Sequence, residues 1–185
     1  AFELGEYEDI EVRNAYQELV INSKTISEED FKKAVWNKSR DNARTPMQWD
    51  DSENAGFTKG TPWFGVNPRY KEINVAKALK DENSVFYYYR KLIRLRHEQE
   101  LLTDGTYELI LPDDAQIFAY LRKSKTETWL IAANLSEKTI PMERLMSAPQ
   151  LAHRNIVDFK IQNYERSLLD GNLRPYEAFM VEIDG

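Results

Sequence analysis

Arg40 and Arg44 stand four residues apart, beside Asp41 and Asn42 and within a few positions of tryptophans. A guanidinium held in place presents several N–H donors at fixed angles, suited to a carboxylate or to the hydroxyls of a sugar. Aromatic faces such as those of Trp49 and Trp63 suit the C–H faces of a sugar ring. On residue types alone two readings stand side by side. Either the arginines and tryptophans meet a carbohydrate, or Arg44 is a structural ion pair and the tryptophans are core.

The rest of the chain offers no complete catalytic constellation. Hydrolysis of a glycosidic bond needs two carboxylates facing one bond, and spacing singles out no pair among 31 acidic residues. His97 and His153 have no partner at metal-ligand spacing, and His97, near the end of a helical segment, reads as a surface residue complementing the helix dipole. No serine or threonine lies in a nucleophile elbow, and no glycine cluster forms a phosphate cradle. The reading is therefore no catalytic residue, no metal and no cofactor in this chain.

Composition narrows the partners. A net charge of -6 argues against nucleic acid, which calls for a basic face. No run approaches the roughly 18 apolar residues of a membrane helix. With no cysteine, disulfides and thiolate metal sites are excluded, and a reducing cytoplasm fits. The chain begins with Ala1 rather than Met and displays no signal peptide, as expected of a piece excised from a longer protein.

The elements that must position Arg40 and Arg44 are helical. A helix is expected over Asp9–Asn22, with Ile10, Ala15 and Leu19 on one face. Ser27 caps a second, whose acidic first turn complements the helix dipole and whose Phe31, Val35 and Trp36 share a face. From Arg40 to Tyr70 periodicity vanishes, leaving a loop of roughly 30 residues, a length that points to function or disorder. Its aromatics Trp49, Phe57, Trp63 and Phe64 argue for burial and order. Ser84–His97 is the clearest helix, with an apolar stripe of Val85, Phe86, Tyr89, Leu92 and Ile93. After Leu102 the period drops to two. Strands are expected at Thr106–Leu111, Gln116–Arg122, Glu127–Asn134, Asn155–Phe159 and Tyr176–Ile183. Lys123–Thr126 would be a hairpin turn, the whole making a small antiparallel sandwich. The expected division is a helical part, 1–103, and a β domain, 104–185.

Several stretches carry a resemblance. Tyr7–Asn14, Ser39–Asp50, Asn54–Thr58, Thr61–Trp63, Asn67–Val75 and Asp81–Leu95, with Gln116–Tyr120 and Leu173–Ala178, follow in order. Together they resemble the C-terminal part of the oligo-1,6-glucosidases and related α-glucosidases of glycoside hydrolase family 13. The resemblance covers nearly the whole chain.

It implies an α+β architecture: the helical remnant of the end of a (β/α)8 barrel, then a small antiparallel β domain. Arg44 matches the arginine that pairs with an upstream aspartate to grip the non-reducing-end sugar in the first subsite. Glu11 and Arg40 match a pair near the neighbouring subsite. The family's nucleophile, acid/base and transition-state-stabilising aspartate have no counterpart here, and its calcium site lies upstream. The implied parent is an exo-acting retaining α-glucosidase for short α-1,6-linked oligosaccharides, with trehalose-6-phosphate hydrolase and sucrose isomerase as competing members. The chain alone is expected to be inactive and to self-associate through its uncovered barrel helices. A stand-alone carbohydrate-binding module using Trp49 and Trp63, and the heavy chains of amino-acid transporters, are the non-enzymatic alternatives.

Overall fold

The computed structural model describes residues 3–165 and 171–184. Ala1 lies outside them. The chain forms two compact units, residues 1–84 and 85–185, so the Ser84–His97 helix groups with the sheet rather than with the preceding helices.

In the first unit, α1 (Ile10–Tyr16) continues in a wider turn to Asn22, and α2 spans Glu28–Lys38. Ser27 caps α2, its Oγ accepting from the amide of Asp30 at 3.1 Å. Tyr7, Phe31 and Val35 are buried, with Val12, Ala15, Tyr16, Leu19 and Val20 packed around them. Two expectations fail here. Ile10 is exposed because the buried stripe starts at Val12, and Trp36 is 44% exposed. Phe31 and Val35 are one helical turn apart, whereas Trp36 sits about 100° further round.

The long loop is ordered by short helical turns at Arg40–Ala43, Glu53–Gly56 and Pro68–Lys71. It ends in α3 (Val75–Ala78), whose first amides, Val75 and Ala76, donate to the carbonyls of Gln48 and Trp49 at 2.9 Å. Asn54, Ala55 and Gly56 all have left-handed backbone (φ 52°, 58° and 67°). A β-carbon on Gly56 would lie 2.7 Å from the Asp50 carboxylate oxygens, so only glycine fits.

The second unit opens with α4 (Val85–Glu98) and α5 (Glu100–Asp104). The strands are β1 (Thr106–Ile110), β2 (Ile117–Lys123), β3 (Thr128–Asn134), β4 (Ile140–Pro141), β5 (Ile156–Gln162), β6 (Asn172–Leu173) and β7 (Ala178–Ile183), with α6 (Met142–Met146) between β4 and β5. Five strands form one antiparallel sheet in the order β1-β2-β3-β7-β5. The expected hairpin turn is present: Ser124 donates its amide to the carbonyl of Glu127, and its Oγ accepts from the amides of Thr126 and Glu127.

The second layer is thinner than a sandwich. It is a ribbon of β4 and β6 with α6, and these supply Ile140, Leu145 and Leu173 to the core beneath Ile117, Leu121, Leu130, Phe179 and Val181. Pro141 has no N–H with which to extend the ladder, and the chain enters α6 at the next residue. On the other face Leu101, Trp129 and Met180 pack with Leu95 and Leu102. The α4 stripe itself stays open: Val85, Phe86, Tyr89 and Ile93 are exposed.

Buried Asn134 ties two turns together. Its amide nitrogen donates to the carbonyls of Lys138 (2.6 Å) and Arg174 (2.8 Å), while its oxygen accepts from the amide (2.9 Å) and hydroxyl (2.8 Å) of Ser136. Asn134→Ala strands these groups, and an expected loss of about 1–3 kcal/mol follows, read as a lower urea midpoint.

Candidate functional site

Ser39 breaks α2 by taking extended backbone. Its Oγ accepts from the Asp41 amide at 3.2 Å, opening the Arg40–Ala43 turn. Asn42 anchors that turn to the end of α2, donating from its side-chain nitrogen to the carbonyl of Trp36 at 2.8 Å. One short turn thus carries both arginines.

Arg40 is held by Asp9, the cap of α1. Arg40 Nε donates to Asp9 Oδ2 at 2.9 Å and Nη2 to Oδ1 at 2.6 Å, a two-pronged pair. Asp9 Oδ1 also accepts from the amide of Glu11 at 3.1 Å. The Arg40 hydrogen bonds hold the Asp9 carboxyl down at about 2, against the opposing effect of desolvation. They also raise the guanidinium above its ordinary value. Glu11 lies alongside, Oε1 3.4 Å from Arg40 Nη2, with most of its side chain in solvent. The structure thus brings together the expected pair Glu11 and Arg40, with Asp9 as the closer partner.

Arg44 is held differently. Its Nη1 donates to Asp41 Oδ1 at 3.2 Å, and the side chain remains 43% exposed. Among the described residues its guanidinium donates only to Asp41. Asp41 itself has no exposed surface, and its Oδ2 accepts from the amides of Glu8 and Asp9, both at 2.8 Å. Arg13 steadies the same segment, donating from Nε to the carbonyl of Tyr7 and from Nη2 to Glu8 Oε2, both at 2.8 Å.

Neither of the two opening readings holds whole. Arg44 is paired, yet a large part of it faces outward. Trp49 and Trp63 are exposed rather than core; of the four loop aromatics Phe64 alone is buried, with Trp63 edge-on to it at 5.3 Å. Asp9 was missed by residue-type reasoning, which noted Asp41 beside the arginines but not its contacts with Glu8 and Asp9. The one local signal was Asp9 as the first residue of the expected helix, where an aspartate is favoured as a cap; nothing local joins Asp41 to Glu8. Among the described residues no group of three or more acidic, histidine or cysteine side chains converges on a metal position. No helix there is long and apolar enough to cross a membrane.

Asp9 gives the site a pH signature. Its carboxyl sits at about 2 in the folded chain against an ordinary 3.8. The stability it contributes is therefore present above pH 4 and lost as pH falls through about 2. The stability difference between the wild type and Asp9→Asn is expected to be constant near neutrality and to shrink across that window, measured by thermal unfolding at stepped pH.

Residues 3–105 match the α-amylase catalytic domain. The chain is 52% identical over 176 residues to the oligo-1,6-glucosidase of Heyndrickxia coagulans, covering 95% of this chain and 30% of that protein. It is 47% identical over 132 residues to the trehalose-6-phosphate hydrolase of Bacillus subtilis (strain 168), covering 71% of this chain and 23% of that one. Among solved structures, the isomaltulose synthase of Klebsiella sp. LX3 superposes with a TM-score of 0.85 at 34% identity, covering all of this chain and 33% of that chain. This chain therefore spans no more than a third of these relatives, and with its matched residues extending over more than half its length it belongs to the α-amylase family of glycoside hydrolases.

Proposed function

We propose that this chain is the C-terminal part of a retaining, exo-acting α-glucosidase that hydrolyses short α-glucosidic oligosaccharides, α-1,6-linked ones foremost. The observation that carries the reading is the Arg40–Arg44 turn, standing in a chain 52% identical to an oligo-1,6-glucosidase. Arg44, paired to a carboxylate through one nitrogen and otherwise outward, suits donation to hydroxyls of the non-reducing-end sugar. Arg40 and Glu11 suit the neighbouring subsite, where Glu11 is loosely held and can accept from a hydroxyl.

In this reading residues 1–103 close a (β/α)8 barrel and residues 104–185 form its accessory β domain. The carboxylates that break the bond stand elsewhere in the parent, and the chain alone is inactive. No cofactor, nucleic acid or membrane partner enters, and the setting is cytoplasmic. The exposed stripe of Phe86, Tyr89 and Ile93 supports self-association of the isolated chain.

Two other readings have a specific observation behind each. The 47% identity to a trehalose-6-phosphate hydrolase supports a phosphorylated disaccharide as substrate. The exposed rings of Trp49 and Trp63 support sugar binding without catalysis by the chain itself.

The protein from the complete reading frame is expected to release glucose from isomaltose, and Arg44→Ala to lower kcat/KM at least tenfold, the scale of a hydrogen bond to a charged group. Preferential cleavage of trehalose 6-phosphate would move the assignment to the second reading. The 185-residue chain is expected to release no nitrophenol from p-nitrophenyl α-glucoside; turnover by it would overturn the claim of inactivity.

A further inference from the structure

We infer that Asp41 is a positioning residue: its carboxylate aims the Arg44 guanidinium at the sugar by tying it to the Glu8–Asp9 backbone. The inference rests on the sugar-binding reading of Arg44 given above. A carboxylate with no exposed surface requires donors for its lone pairs, and Asp41 divides its two oxygens between two tasks. Oδ2 takes the amides of Glu8 and Asp9 at 2.8 Å each. Oδ1 takes Arg44 Nη1 at 3.2 Å. The two amides hold Oδ2 in place and restrict how the carboxylate turns, with Oδ1 left on the side of Arg44.

The geometry gives Arg44 properties that Arg40 lacks. Arg40 spends Nε and Nη2 on Asp9, and Nη2 also faces Glu11. Within this chain Arg44 is anchored through one nitrogen, which restrains rotation of the guanidinium and leaves its other donors for the sugar and for the upstream aspartate that the resemblance implies. A long side chain immobilised before the ligand arrives does not lose that freedom on binding. The carboxylate also offsets the charge of Arg44, so a neutral sugar suffices as ligand and no anion is called for.

A role confined to folding would make Asp41 and Arg44 act independently on sugar binding. The test is a double-mutant cycle in the protein expressed from the complete reading frame. The readouts are KM and kcat on isomaltose and the inhibition constant of free glucose, with thermal unfolding recorded for each variant. The expected result is that Asp41→Ala and Arg44→Ala each weaken glucose binding about tenfold or more, and that the double variant binds no worse than Arg44→Ala alone.

Losses that multiply in the double variant, with Arg44→Ala impaired, would overturn the positioning role and leave the reading of Arg44 intact. An Arg44→Ala enzyme with unchanged KM, kcat and inhibition would sink that reading itself, and the inference with it. Should Asp41→Ala fail to fold, Asp41→Asn answers the same question: its carboxamide oxygen can still accept from the Glu8 and Asp9 amides, while its NH2 replaces the oxygen that accepts from Arg44. Glucose binding weakened about tenfold in Asp41→Asn, with no further loss when Arg44→Ala is added, supports the positioning role, and wild-type binding by a folded Asp41→Asn overturns it.

Discussion

The carboxylate of Asp41 is the constraint on which the first unit depends. It has no contact with water, and its partners come from two places far apart in sequence: the amides of Glu8 and Asp9, and the guanidinium of Arg44. An ionised group in that position is tolerated only when its lone pairs are taken up. The apolar core beside it is small, with Tyr7, Phe31 and Val35 at its centre. Packing alone sets the approach of α1 and α2 loosely; the hydrogen bonds to Asp41 set the register of the chain segments that carry the arginines.

Around that point the charges interleave. Asp9 comes from the first segment and holds Arg40 of the second; Asp41 comes from the second and holds the backbone of the first. The two arginines thereby acquire different characters from one short turn. Arg40, 52% exposed, is gripped twice and lies beside Glu11, whereas Arg44, 43% exposed, is held through one nitrogen. That asymmetry suits the proposed role, in which a neutral, hydroxyl-rich ring is held in one orientation.

Local patterns made much of the fold legible. The Ser27 cap, the long helix after Ser84 and the Ser124 turn follow from interactions within a few residues, and the structure has all three. Periodicity reports which side of a helix is apolar but not which part of it finds a neighbour, so Ile10 and Trp36 were assigned to a core that ends short of them. The sheet was readable strand by strand, yet the two-residue strands β4 and β6 are too short to leave a pattern. At the site, residue types pointed to Arg40 and Arg44, and the family resemblance added Glu11. Asp41 stands three residues from Arg44 and was in view, but the pairing of Asp9 with Arg40 and the grip of Asp41 on the Glu8–Asp9 backbone stayed hidden, because contacts between positions more than 30 apart leave no trace in local spacing.

The same clip divides the chain into parts of unequal tolerance to insertion. Between Asp9 and Arg40 lie α1, α2 and the turn at Ser23–Ile26, where Lys24 takes left-handed backbone in solvent. Lengthening that turn by ten residues enlarges the closed loop by roughly a third, at an entropic cost of only about 0.3 kcal/mol. A single residue added between Glu8 and Asp9, or between Arg40 and Asp41, would instead rotate one half of the clip out of reach of the other. The α1–α2 hairpin is thus a place where a lineage can graft new surface beside the two arginines without disturbing the groups that hold them.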